Sequence, residues 1–103
     1  MKKVTIPLAA CRIGDLDLVH CSTPVRAMGS PTVYVNGISW SRMGDVNHPH
    51  LKPCGEVCCG HAAPIGKGST KVFVNGRGAG RVTDYVLGCT AVATGSPKVF
   101  AGG

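Results

Sequence analysis

Residues 71–89 read KVFVNGRGAGRVTDYVLGC, and residues 32–50 read TVYVNGISWSRMGDVNHPH. Both stretches carry a Val-aromatic-Val-Asn-Gly segment, then four intervening residues, an arginine and an aspartate in the same register. A spacing of 15 residues separates Ser30 from Asp45 and also Ser69 from Asp84. Self-similarity at a fixed spacing indicates a repeated structural unit.

Each unit has the local chemistry of a β-hairpin. The Asn-Gly pairs at 36–37 and 75–76 suit a two-residue type I′ turn, because both central positions need positive φ. The flanking residues are β-branched and alternate, as in a half-buried strand. In the first hairpin we expect one face to form core, with these members: Val33, Val35, Ile38 and Trp40.

A third copy is divided between the two ends of the sequence. Residues 95–102 read GSPKVFAG, like the first half of a unit, and residues 12–15 read RIGD, like the second half. We therefore predict that the two ends lie side by side and complete three pseudo-symmetric units around one axis. The chain of 103 residues, with 15 glycines and 7 prolines, is expected to form one all-β domain over residues 1–103.

The repeat also aligns metal-binding residue types. Five residues beyond each repeated aspartate stand His20, His50 and Cys89. A tetrahedral metal site needs four ligands, one more than these three. His61, in the longest segment between units, is the best candidate for the fourth. The predicted metal site is therefore His20, His50, His61 and Cys89, with Zn²⁺ as the preferred metal and Fe²⁺ as the alternative.

Other arrangements of these residue types stay open at this point. His48 is the alternative to His50, although its offset from Asp45 breaks the repeat. Three cysteines could instead form a zinc knuckle with His61 or His50, and disulfides would suit a protein that works outside the cell. The knuckle cysteines are Cys54, Cys58 and Cys59, and the candidates for disulfides are these three with Cys11 and Cys21.

Several function classes are disfavoured by the sequence. The repeated aspartates Asp15, Asp45 and Asp84 are expected to accept backbone N–H bonds in turns, and no convincing catalytic set accompanies them, so we predict no enzyme and no small-molecule substrate. The net charge is +6, but the basic residues are scattered, which argues against nucleic-acid binding. The start of the chain lacks an ordinary signal peptide, so synthesis in the cytoplasm is expected.

Taken together, the hairpins, the aspartate register and the His/Cys positions resemble the PAAR-repeat proteins. The resemblance extends from about Arg12 to Gly103 and rests on GSPTVYVNG, SRMGDVNHPH, GSTKVFVNGRGAGRVTD and ATGSPKVFAGG. The name-giving Pro-Ala-Ala-Arg is replaced by SWSR at 39–42 and GAGR at 78–81, and Thr83 stands where glycine is usual. These departures bear on the local geometry of the turns and not on the expected fold.

The resemblance implies a small all-β cone with a metal-stabilised apex, held by three His and one Cys. PAAR proteins bind, as monomers, the end of a trimeric β-helical spike in type VI secretion systems and contractile phage tails. The expected location is thus the tip of a virion tail spike or of a secreted spike, with transient contact to a target membrane that it pierces. The alternative function is a small zinc-binding module that recruits nucleic acid or protein.

Overall fold

The computed structural model describes residues 7–19 and 21–103, and across them the regular structure is all β, with no helix. The predicted all-β class is confirmed. Eight short strands form four antiparallel pairs, β1–β8, β2–β3, β4–β5 and β6–β7. Their bounds are β1 Leu8–Ala9, β2 Tyr34–Val35, β3 Ile38–Ser39, β4 His50–Cys54, β5 Val57–His61, β6 Phe73–Val74, β7 Arg77–Gly78 and β8 Phe100–Ala101. No helix in this part of the chain is long and apolar enough to cross a membrane.

The two Asn-Gly turns have the geometry that the sequence predicts. Asn36 and Asn75 have φ values of 53° and 54°, and Gly37 and Gly76 have φ values of 78° and 77°. Two successive positive φ angles are what a type I′ turn requires, and few residue types other than asparagine and glycine adopt them readily.

The two ends of the sequence form the third unit together. Strands β1 and β8 are antiparallel, with Leu8 opposite Ala101 and Ala9 opposite Phe100. The predicted closure between the chain ends is therefore confirmed for these strands.

Hydrogen bonds connect the three units in closed cycles. In one cycle, a serine hydroxyl from each unit donates to the turn region of the next unit. Its members are Ser30 to Asn75, Ser69 to the Gly102 carbonyl, and Ser96 to Asn36. A second, backbone cycle runs from Cys11 N to Gly80 O (3.0 Å), from Gly80 N to Ser41 O (2.9 Å), and from Ser41 N back to Cys11 O (2.9 Å). Each unit thus donates to one neighbour and accepts from the other.

Two hydrophobic clusters form the core. The first joins the hairpins, and its buried members are Ala10, Val35, Trp40, Val74, Ala79 and Ala101. The second is Cys11, Ala63, Ile65, Val86 and Val92, and the partly buried Cys89 packs against it. The predicted metal ligand Cys89 is therefore supported by the second of the two core clusters.

The predicted apolar face of the first hairpin is correct except at one residue. Val35 and Trp40 are buried and Val33 packs against the first cluster, but Ile38 is 39% exposed. Ile38 directly follows the turn, at the rim of the hairpin. The corresponding residue in the second hairpin is Arg77, whose side chain is also half exposed.

The repeated aspartates fix the turn that follows each hairpin. Each accepts a hydrogen bond from the backbone N–H of the arginine three residues earlier, at 2.7–2.8 Å, which confirms the predicted turn role. Each also accepts from the side chain of that arginine, a contact that the sequence reading missed. The three ion pairs are Arg12–Asp15 at 3.0 Å, Arg42–Asp45 at 2.9 Å and Arg81–Asp84 at 2.8 Å.

The residue before each repeated aspartate has a left-handed backbone conformation, and in one unit it is not glycine. Gly14 and Gly44 have φ values of 88° and 91°, whereas the exposed Thr83 has a φ of 78°. This conformation costs an L-residue about 1–2 kcal/mol, while glycine loses about 0.5–1 kcal/mol more backbone entropy on folding.

We therefore expect Thr83→Gly to raise the free energy of unfolding by about 0.5–1 kcal/mol, measured by denaturant titration.

The matched control for this prediction is Thr23→Gly, since Thr23 is exposed and does not have a positive φ. That substitution should lower stability slightly. A loss of stability in Thr83→Gly similar to that in the control would contradict the strain argument.

Candidate metal centre

Three predicted ligands converge at one place in the structure. The ligating atoms of His50, His61 and Cys89 all lie within 4.8 Å of one another. His50 Nε2 is 3.2 Å from Cys89 Sγ, and the two imidazole rings have centroids 4.3 Å apart. His50 is buried, and the other two are half-buried. Two imidazoles and a thiol at this separation can hold a metal ion, because each can donate a lone pair to one shared point.

The β4–β5 hairpin brings the two histidines together. His50 begins β4, His61 ends β5, and they stand directly opposite each other in the strand register. Directly opposed residues have Cβ atoms about 4.5–5.5 Å apart, which is close enough for both rings to reach one ion. The long insertion between the first and second units therefore supplies His61 through strand pairing.

The orientation of His50 leaves one nitrogen available for a metal. His50 Nδ1 lies 2.9 Å from the His48 carbonyl oxygen, which can only accept, so Nδ1–H is the donor. In a neutral ring this places the lone pair on Nε2, the atom that points at Cys89 Sγ. Such a second hydrogen bond commonly fixes the tautomer of metal-binding histidines.

Cys89 is positioned by a tight turn. Its N–H donates to the Val86 carbonyl at 3.0 Å, and Val86 N–H donates to the Thr90 carbonyl at 2.7 Å. Burial raises the pKa of the Cys89 thiol, while the side-chain amide of Asn47 acts in the opposite direction. Asn47 Nδ2 lies 3.9 Å from Cys89 Sγ and so donates a weak hydrogen bond to the sulfur.

A buried polar network contacts the sulfur of Cys89 through Asn47. Arg26 Nη2 is 2.8 Å from Asp17 Oδ2, and neither side chain is exposed at all. Asn47 Nδ2 donates to the same Asp17 oxygen at 3.0 Å, and Arg26 Nη1 donates to the Asp45 carbonyl at 3.0 Å. Within the described part of the chain, Asp17 Oδ1 and Arg26 Nε have no hydrogen-bond partner. The network connects the backbone of the first unit to the sulfur ligand.

Our sequence interpretation missed this network, although the register contained a signal. Asp17, Asn47 and Val86 each lie two residues beyond a repeated aspartate, so the first and third units place a polar side chain where the second unit has valine. Arg26 had no comparable signal, because it lies in a segment outside the repeated motif.

The other candidate residues have different places. His20 lies outside the described residues. His48 is exposed, and its backbone carbonyl, rather than its ring, contacts His50. The knuckle cysteines form the disulfides Cys54–Cys59 and Cys21–Cys58, so in this structure they are not available as zinc ligands with His61 or His50.

The disulfides also lie on opposite sides of the hairpin. Cys58 and Cys59 are adjacent in β5, so their side chains point to opposite faces. A single site using both sulfurs would require these two residues to leave the extended strand conformation, which further disfavours the zinc-knuckle alternative. Cys11 is a buried thiol in the second core cluster and forms no disulfide.

No protein-family model matches this chain, and no curated protein is significantly similar to it in sequence.

Proposed function

We propose that this chain is a metal-stabilised tip that caps the trimeric β-helical spike of a contractile injection machine, either a phage tail or a type VI secretion system. The observation that carries the proposal is the pair of closed hydrogen-bond cycles through three units, combined with three metal-ligand side chains gathered from two of those units and the insertion. Together with the resemblance to PAAR proteins, this favours a pseudo-threefold cone whose apex holds the metal.

Zn²⁺ is the proposed metal, because structural zinc prefers four imidazole and thiolate ligands. His50, His61 and Cys89 would supply three of these ligands, and His20 is the proposed fourth. Bound zinc would act as a redox-inert cross-link between chain segments. A fourth protein ligand would leave no open position for a reacting water, so the site favours a structural role and not an enzyme.

Three equivalent hairpin positions form the proposed spike-binding base. Val33, Val72 and Val99 pack against the first core cluster, whereas Cys89 packs against the second. Beside each valine stands an exposed aromatic residue, with 53–61% of its surface accessible. These three residues are Tyr34, Phe73 and Phe100. A monomer with three similar contact positions can match the end of a trimer, since each position can meet one subunit.

The charge distribution suits an acidic spike end. All four aspartates are buried and ion-paired, which leaves Glu56 as the remaining acidic side chain of the sequence. Lys71 and Lys98, each two residues before an exposed aromatic, are themselves exposed. Complementary charge would accelerate and orient assembly more than it would strengthen it.

The docking prediction uses spike trimers from contractile phage tails and type VI secretion systems, each co-expressed with this chain. We expect native mass spectrometry to detect one chain per trimer with a cognate spike. The triple variant Tyr34→Ser, Phe73→Ser, Phe100→Ser should lose the complex, because loss of aromatic anchors commonly costs about 2 kcal/mol or more each.

The matched control carries three exposed apolar substitutions away from the base: Leu18→Ser, Leu51→Ser and Leu87→Ser. It should retain the complex. Failure of every spike trimer to bind the parent chain, or equal loss in both triple variants, would contradict the proposed base.

A further inference from the structure

The β4–β5 hairpin, residues 50–61, is here called the tip hairpin. Between its two histidines, no residue from 51 to 60 is buried. Among the described residues it pairs with no third strand. An isolated two-stranded hairpin is marginally stable in water, so the strand register that aligns His50 with His61 needs another source of stability.

Two disulfides provide this stability. Cys54–Cys59 joins β4 to β5 within the tip hairpin. Cys21–Cys58 joins the opposite face of the hairpin to the segment that directly follows His20 in sequence. The same segment contacts the hairpin again, where Leu51 N–H donates to Ser22 Oγ at 2.9 Å. The covalent links therefore hold together the chain segments that carry His50, His61 and the proposed ligand His20.

We propose that the two disulfides form a redox-dependent lock on the metal site. When oxidised, they hold the ligand-bearing segments in the geometry that binds the ion. When reduced, they leave His61 on a hairpin without a core or covalent support, and metal affinity falls. The inference rests on the metal site of the proposed function.

The chemistry of unlocking is ordinary thiol–disulfide exchange. A dithiol reductant attacks one sulfur through its thiolate, and a mixed disulfide forms. Its second thiol then displaces the remaining cysteine, giving two cysteine thiols and the oxidised cyclic disulfide of the reductant, a transfer of two electrons and two protons. Cys21, Cys54 and Cys58 are exposed, so both disulfides are accessible to such an attack.

Linkage requires the coupling to be reciprocal. If the disulfides strengthen metal binding by a given factor, the bound metal must disfavour disulfide reduction by the same factor. A tip made in a reducing cytoplasm would then bind metal weakly until oxidation. After oxidation, metal and disulfides would protect each other.

The first test measures the Zn²⁺ dissociation constant of the full chain by competition with a chromophoric chelator. The parent, oxidised, is compared with Cys21→Ser/Cys58→Ser and with Cys54→Ser/Cys59→Ser, and Val57→Ser, an exposed change in the same hairpin, is the control. We expect affinity to fall about 10–100-fold in each double variant, as when other supports of a metal ligand are removed, and to stay unchanged in the control. Parental affinity in both double variants would overturn the lock.

The second test measures reduction of the disulfides by dithiothreitol, followed by alkylation and mass spectrometry, with and without Zn²⁺ presaturation. Zinc should slow reduction in the parent and have no effect in Cys89→Ser, since Cys89 belongs to neither disulfide. Equal protection in Cys89→Ser would overturn the lock. Zinc bound equally well with and without the disulfides refutes the lock alone, whereas no zinc binding by the oxidised parent refutes the proposed metal site as well.

Discussion

Replacing Arg26 with methionine should lower the free energy of unfolding by about 3–5 kcal/mol, because it leaves the Asp17 carboxylate buried without its charged partner. Asp17 is 1% exposed, and one of its oxygens already lacks a hydrogen-bond partner among the residues that the structure describes. The substitution also removes the hydrogen bond from Arg26 to the Asp45 carbonyl. The measurement is denaturant unfolding with a chelator present, so that metal binding does not contribute.

The repeat suggests a second substitution, at Asp17, that can be combined with one at Arg26. The combination distinguishes the cost of an unpaired buried charge from the cost of lost packing. Backbone bonds make Arg26 and Val92 equivalent, since each N–H donates to the carbonyl of a repeated aspartate, at 2.8 and 2.9 Å. Asp17 is likewise equivalent to Val86 in register. The double variant Asp17→Val/Arg26→Val therefore imitates the second unit, which has Val86 and Val92 at these positions.

We expect this double variant to recover to within about 2 kcal/mol of the parent, because well-packed apolar replacements of a buried ion pair are often neutral, while the Asn47 amide loses an acceptor. The variant Arg26→Val alone should be as unstable as Arg26→Met. If the double variant is as unstable as the single ones, Arg26 stabilises the fold mainly through its other contacts, and the charge-burial argument is wrong.

The repeat explains why so much of the fold could be predicted from the sequence. The Asn-Gly turns depend on two adjacent residues, and the pairing of β1 with β8 follows from a unit divided between the chain ends. The convergence of Cys89 with His50 follows from their equal offsets from Asp84 and Asp45. In each case a local pattern occurs in equivalent positions, so one correct register predicts several contacts.

The features that escaped prediction depend on contacts between different segments. Nothing next to Arg26 in sequence shows that it would be buried against Asp17. The disulfide pairing depends on which face of β5 each cysteine occupies, and that requires the strand register of the tip hairpin. Ile38 satisfies the alternation of a buried strand, but its place beside the turn leaves it at the rim.

Removing one metal ligand should strongly lower both the zinc content and the melting temperature of the protein. We expect the parent to contain one zinc ion per chain by elemental analysis, and His61→Ala and Cys89→Ser to lose most of it. A ligand present at about 1,000 times its dissociation constant stabilises a protein by about 4 kcal/mol. Loss of that contribution should lower the melting temperature of a domain this size by roughly 15–30 °C in zinc-containing buffer.

His48→Ala is the matched control for this prediction, because it removes an exposed histidine two residues from His50 and keeps the carbonyl that orients the His50 ring. It should retain zinc and the parental melting temperature. The chelated parent should melt close to the two ligand variants, since all three lack the same cross-link. If zinc is retained in Cys89→Ser but lost in His48→Ala, the ion is held elsewhere. If chelation leaves the melting temperature unchanged, the metal does not stabilise the fold.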